Sequence, residues 1–238
     1  MIRENKYPVQ DLIVPQNVLA SVSDKTGLEK IIMSILMVNP QVRFFSTGGT
    51  GTEIISIIKK IAANLEVNYM SVEKFTGTPE MEGGLVKTLN PKIFAGVLGE
   101  RNNPAHEQYL RNLANTGRGP GVYFDILIGN FYPFDSVIFR DDITAEAARV
   151  NIDIGGPSLA EAAAKNWPSV AVVSTTQQYD EFTSRLIDRR GTNLQQRFYL
   201  AQYALDQVGK YRKSIGGYFM SLLFDRDVKP FLKISGGK

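Results

Sequence analysis

The 238-residue chain contains no cysteine. That excludes disulfides, thiolate metal sites and a cysteine nucleophile, and it suits a reducing compartment, so a cytoplasmic protein is expected. Histidine is nearly as scarce, since His106 stands alone. A Ser-His-Asp triad or a multi-histidine metal site would rest on that one side chain, in a segment that reads as a surface helix. No apolar run is long enough to span a membrane, and the N-terminus lacks a signal-peptide pattern. Excess charge is small, a formal +3. It sits at the end: residues 210–238 hold seven Lys/Arg against two Asp/Glu. Such a tail reads as solvated lysines, and no nucleic-acid partner is expected.

What is present is an alternation of strand-like and helix-like stretches. Residues 1–16 read as an irregular arm with Pro8 and Pro15. Residues 17–22 read as a first buried strand. Leu28, Ile31, Ile32, Ile35 and Leu36 then share one helical face. Residues 42–45 predict a second strand, followed by a stripe of Ile54, Ile55, Ile58 and Ile61. Leu65, Val67 and Tyr69 alternate as in a third strand. Residues 75–91 look like a loop, residues 93–98 like a short strand, and Asn103-Pro104 like the start of a helix. Residues 125–129 and 169–174 complete the strands. The part after Gln177 looks helical, with breaks at Gly191 and at Gly216-Gly217. The pattern predicts an α/β protein with a mostly parallel sheet covered on both faces. We divide it into an arm (1–16), a single domain (17–225) and a tail (226–238).

In such a fold, ligands bind where strands end and helices begin. The polar motifs fall at those places. Ser46-Thr47-Gly48-Gly49-Thr50 offers hydroxyls, close backbone approach and a helix start, as a phosphate cradle needs. It is neither a Walker loop nor a Rossmann fingerprint, and a plain strand-to-helix turn explains it equally well. Ser23, Asp24 and Lys25 form a second such loop, where a helix cap is the simpler reading. Lys87 lies in the long loop, Tyr132 precedes Pro133, and Asn130 ends a strand. Asp153 stands before Gly155-Gly156-Pro157, with Pro157 suited to the first position of a helix. Lys165 follows about three helical turns later. Each has a structural alternative: a solvated lysine, a core tyrosine, a helix cap, a lysine closing a helix. A carboxylate, lysines and free backbone donors suffice for acid–base work on a carbonyl.

Taken together, SVSDKTG (21–27), STGGT (46–50), FTGTPEMEGGLVKTLNP (75–91), NFYPFD (130–135), NIDIGGPS (151–158) and AAAKN (162–166) resemble the IMP cyclohydrolase domain of bifunctional purine-biosynthesis proteins. The resemblance runs over roughly residues 17–225. It implies a methylglyoxal-synthase-like three-layer α/β sandwich. It implies dehydrating ring closure of formamidoimidazole carboxamide ribotide (FAICAR) to inosine 5′-monophosphate, without metal or other cofactor, in a homodimer. The formyl-transferring second domain of those proteins would need several hundred further residues. The catalytic set carried over is Lys165, Asp153, Lys87 and Tyr132. The substrate-binding set is Ser23, Asp24, Lys25, Thr47, Gly48, Gly49, Thr50, Val86, Thr88, Asn130, Ile154 and Gly155. Five positions depart from the family pattern. Leu85 and Glu161 stand where arginines are usual, and Asn90 and Trp167 where histidines are; a histidine expected near Phe94 is absent. Each departure removes a positive or ionisable donor. Those losses favour one competitor, a noncatalytic nucleotide-binding module on the same fold. A methylglyoxal-synthase-like phosphate lyase is the other.

Overall fold

The computed structural model describes residues 6–61, 68–82, 85–140 and 142–232. Its strands are β1 (Leu12–Ile13), β2 (Asn17–Val22), β3 (Arg43–Ser46), β4 (Tyr69–Ser71), β5 (Ile126–Asn130), β6 (Ala171–Val173) and β7 (Thr192–Asn193). The middle five form one parallel sheet in the order β4-β3-β2-β5-β6. Val18, Phe44, Phe45, Ile126, Ile128 and Val172 are all fully buried. That is why these strands read as continuous apolar runs: a parallel sheet is covered on both faces.

The chain winds outward from β2 to β4, then returns to place β5 on the other side of β2. Right-handed crossovers in opposite directions put their helices on opposite faces. One layer holds α1 (Leu28–Val38), α2 (Gly48–Ile61) and α9 (Tyr179–Arg189). The other holds α4 (Pro91–Leu98), α8 (Gly155–Lys165) and the long α10 (Leu194–Ser221). The three-layer α/β sandwich expected from the sequence is therefore present. The strand order reverses between β2 and β5, which is where an open α/β sheet forms its ligand crevice.

Several expectations need correction. Residues 93–98 are not a strand but lie in α4. Asn90 caps that helix by accepting from the Lys92 N–H at 2.8 Å, and Pro91 sits in its first turn. A short apolar run alone does not separate the two states. The 75–91 stretch is not all loop, because α3 (Val72–Thr76) reaches into it. Gly216 and Gly217 do not break the chain; both lie inside α10. Pro157 is the third residue of α8, which starts at Gly155. Leu65 and Val67 lie outside the described residues; Tyr69 does begin β4.

The arm is not wholly irregular either. β1 pairs antiparallel with β7. Beneath them Arg197 of α10, fully buried, donates to the carbonyls of Gln10, Asp11, Trp167, Pro168 and Thr192. Its burial pulls the guanidinium down to about 10. Backbone carbonyls replace its water, so the arm, β7 and the turn before β6 are tied to one helix.

Candidate active site

β2, β3 and β5 run parallel, so their C-terminal ends share one rim. Three of the predicted motifs leave from it. At the crevice between β2 and β5, Asn130 reaches across to the loop after β2. Its side-chain oxygen accepts from the N–H groups of Ser23 and Asp24 at 2.7 and 2.8 Å, and its NH2 donates to the Asp24 carbonyl at 2.7 Å. Asn130, one of the expected substrate-binding residues, thus shapes the loop that carries Lys25. Asp24 caps that loop, accepting from the Thr26 N–H at 2.9 Å; hydrogen bonds from Thr26 hold its carboxyl below the usual range.

α2 begins directly in the glycine pair, Gly48 with φ +45°. A methyl group on Gly48 would lie 3.4 Å from Lys87 Nζ, and one on Gly49 would lie 3.9 Å from Lys25 Nζ. Two lysines therefore face one helix N-terminus, whose free N–H groups already favour an anion. Lys25 forms no salt bridge with a described residue, whereas Lys87 pairs with Glu80 at 2.9 Å. Thr47 is buried. Thr50 is turned inward, exchanging hydrogen bonds with the Val22 backbone at 3.1 and 3.2 Å, so it ties α2 to β2 rather than facing the rim.

Thr88, beside Lys87, reaches the second glycine-led helix. A methyl group on Gly155 would lie 3.2 Å from Thr88 Oγ1. Val86, just before Lys87, has φ +61°, a rare conformation for a β-branched residue, and its side chain is exposed. Ahead of α8, Ile154 takes the N-cap position and is exposed. Asp153 folds back over the helix start, its Oδ1 accepting from the Gly156 N–H at 2.8 Å. The N–H groups of Tyr132 and Gly155 also hydrogen-bond its carboxylate. Burial outweighs these donors and raises its pKa. A methyl group at Gly156 would sit 2.6 Å from Asp153 Oδ2 and so would displace the carboxylate. The Tyr132 side chain is exposed.

Lys165 is the predicted catalytic residue that the chain does not bring to this rim. It closes α8, ten residues beyond Gly155. At 1.5 Å per residue, that is about 15 Å along the helix axis. Its side chain is exposed and makes no hydrogen bond or ion pair with a described residue.

Four of the five departures take on structural tasks. Glu161 pairs with Arg212 of α10 at 2.6 Å. Asn90 caps α4. Trp167 packs edge-on against Phe198, centroids 5.1 Å apart. Phe94 packs against the core. Leu85 alone remains exposed in the loop. His106 accepts from the Glu100 N–H through Nδ1 at 3.0 Å, in keeping with a structural role.

Two further residues join the site. Glu80 holds Lys87, and nothing in its spacing announces that. Tyr211 of α10 accepts the Asp153 N–H at 2.7 Å. Its signal was faint: Tyr211, Ser214 and Tyr218 form a polar-aromatic stripe at helical spacing. Among the described residues no group of three His, Cys, Asp or Glu side chains could hold a metal. No described helix is long and apolar enough to cross a membrane. A cavity of about 260 Å³ lined by Arg43, Phe45, Met70, Phe75, Arg118 and Val122 includes none of the predicted site residues.

Comparison with known proteins adds the following. The family described as the AICARFT/IMPCHase bienzyme matches residues 163–235. The bifunctional purine biosynthesis protein PurH of Buchnera aphidicola subsp. Schizaphis graminum is 37% identical over 207 residues, covering 86% of this chain and 35% of that protein. PurH of Rhodopirellula baltica is 36% identical over 213 residues, covering 88% of this chain and 37% of that protein. The chain thus spans little more than a third of the length of these curated relatives. Among solved structures, the crystal structure of ForH aligns with a TM-score of 0.66 at 22% identity, covering 86% of this chain and 97% of that one. At that identity the likeness supports the fold alone.

Proposed function

From a chain that carries an IMP-cyclohydrolase-like domain related to PurH, we propose an enzyme that converts FAICAR to inosine 5′-monophosphate with loss of water. One observation carries the reading. The dipeptide Lys87-Thr88 joins a cationic, glycine-led helix start to a second start held by a partly buried carboxylate. A phosphate cradle and an acid–base group thereby share one rim.

In this scheme the 5′-phosphate lies over the start of α2, held by Lys25, the Ser23 loop and the backbone at Gly48 and Gly49. Asp153 accepts the proton of the carboxamide nitrogen as that nitrogen bonds to the formyl carbon. The formyl oxygen gathers charge, which Lys87 stabilises. The oxyanion takes back the proton that Asp153 accepted, giving the hydroxyl of the tetrahedral adduct; that hydroxyl then leaves as water with the proton shed by the formamido nitrogen, which completes the ring double bond. Tyr132, exposed beside this turn, is placed to cover the base. Lys165 has no part in the scheme, because it sits at the other end of α8. Glu80 holds Lys87 until the anionic substrate replaces it. Such an activity would serve purine biosynthesis, with a purine ribonucleotide as the ligand and a second copy of the chain as the expected partner.

The test is direct. Purified protein incubated with FAICAR should raise the purine absorbance at a rate proportional to enzyme, and no turnover at any substrate level sinks the reading. The exposed Leu85, where an arginine is expected, favours a second reading: a noncatalytic purine-nucleotide-binding module. Calorimetric binding of inosine monophosphate without turnover would support that module instead.

A further inference from the structure

Within four residues, α10 contacts three segments of the candidate site. Tyr211 accepts the Asp153 N–H at 2.7 Å, Arg212 pairs with Glu161 of α8 at 2.6 Å, and Ser214 donates to Asp135 in the segment after β5. α10 therefore braces both the turn that carries the carboxylate and the loop that carries Tyr132. The Tyr211 contact is the one nearest the chemistry.

We propose that Tyr211 is a positioning residue for Asp153: its phenol oxygen fixes the Asp153 peptide and so sets where the carboxylate points. The inference rests on the ring-closure reading above. The phenol is well suited to that task. Its ring lies against Phe131, centroids 5.4 Å apart, and against Phe134 at 6.3 Å, so it has little room to swing. A neutral oxygen accepts the N–H without adding charge beside a carboxylate. Burial, with Asp153 and Asp135 nearby, pushes the phenol up to about 12, so it keeps its proton throughout the working range. Phenylalanine at this position would retain the packing and leave a half-buried N–H without its acceptor. The turn would then reorient to find water. Misplacing a reacting group by about 1 Å can cost as much as 10²-fold in rate.

The experiment compares Tyr211→Phe with Tyr218→Phe, a change about two helical turns further along the same stripe of α10. Turnover of FAICAR and carbon-13 titration of the Asp153 carboxyl are both measured. For Tyr211→Phe, kcat should fall about 10-fold or more while KM stays within about threefold. The Asp153 pKa should move down toward the ordinary carboxylate value, as water enters the loosened turn. Tyr218→Phe should leave both unchanged. Phe131→Leu keeps the phenol but frees its ring, and should give a smaller fall in kcat; it serves also if Tyr211→Phe does not fold. An unchanged kcat in Tyr211→Phe, or equal losses in Tyr211→Phe and Tyr218→Phe, overturns the proposal. Should the wild-type protein show no turnover, the ring-closure reading fails by itself. The titration then decides alone, and an Asp153 pKa that Tyr211→Phe leaves in place overturns the positioning role.

Discussion

Two helices of this protein begin on a pair of glycines at the same rim, and they become chemical opposites. α2 starts at Gly48-Gly49 with Lys25 and Lys87 beside it and an exposed, anion-seeking N-terminus. α8 starts at Gly155-Gly156 with Asp153 folded over its N–H groups and Tyr211 behind. The backbone device is the same in both. Free N–H groups and the helix dipole favour negative charge at each. What differs is whether the protein supplies that charge itself. At α2 it withholds the anion and provides cations, which suits a ligand phosphate. At α8 it installs its own carboxylate, partly buried, where a proton can be taken up. A glycine pair before a helix thus says only that something negative belongs there; the neighbouring side chains say whose charge it is.

The sharpest way to break this contrast is Asp153→Asn. The amide oxygen still accepts from Gly156, so the turn should persist, but the proposed base is lost. Turnover of FAICAR should fall about 10²–10³-fold, in the range of a general base. The pH profile of the wild-type protein sharpens the same point. Burial raises the Asp153 pKa, so the acid limb of kcat should lie above the ordinary aspartate value. A carboxyl that binds its proton more tightly when folded favours the fold at low pH, and this contribution is lost as pH rises from the unfolded value through the folded one. Asp153→Asn removes that loss, so at neutral pH it should melt no lower than the parent. A large drop in melting temperature, or unchanged turnover, would show Asp153 to be only a helix cap.

At the other start, Lys25→Ala should act on binding rather than chemistry. Lys25 has no carboxylate partner among the described residues, so its removal leaves no buried charge unpaired. A charge-assisted contact to phosphate is worth roughly 1.5–3 kcal/mol. KM should therefore rise about 10- to 100-fold with kcat little changed, and the effect should shrink at high salt. An equal fall in kcat would mean that the two helix starts do not divide the work.

How much of this could be read from residues alone depends on distance along the chain. The glycine pairs, the motif lysines and Asp153 are local signals, and the strand–turn–helix rhythm put all but one of them on a rim. The exception, Lys165, is instructive. Its spacing from Asp153 is twelve residues, which in a helix means separation along the axis and not proximity. Residues 93–98 misled because a run of apolar residues fits a buried helix as well as a strand; Asn90-Pro91 was the deciding cap. Long-range partners left almost no trace. Tyr211 lies 58 positions from Asp153 in sequence, and Arg197 some 187 from Gln10. Nothing in a linear pattern announces which buried phenol or guanidinium will find which backbone group.

Glu161 offers the smallest expected effect and a check on how departures from a family pattern should be interpreted. A glutamate where arginine is usual suggests a lost ligand donor. In the structure its carboxylate meets Arg212 across the α8–α10 interface, with both side chains about half exposed. An exposed pair of this kind contributes about 0.2–1 kcal/mol. Glu161→Ala should accordingly leave kcat and KM unchanged and lower stability by no more than that, measured by urea unfolding. Glu161→Arg, the apparent repair, should do worse than alanine, because it sets two guanidinium groups face to face. Adding Arg212→Glu should then restore what Glu161→Arg removed, since the reversed pair has the same geometry. A gain in substrate affinity from Glu161→Arg would overturn this account and return position 161 to the ligand.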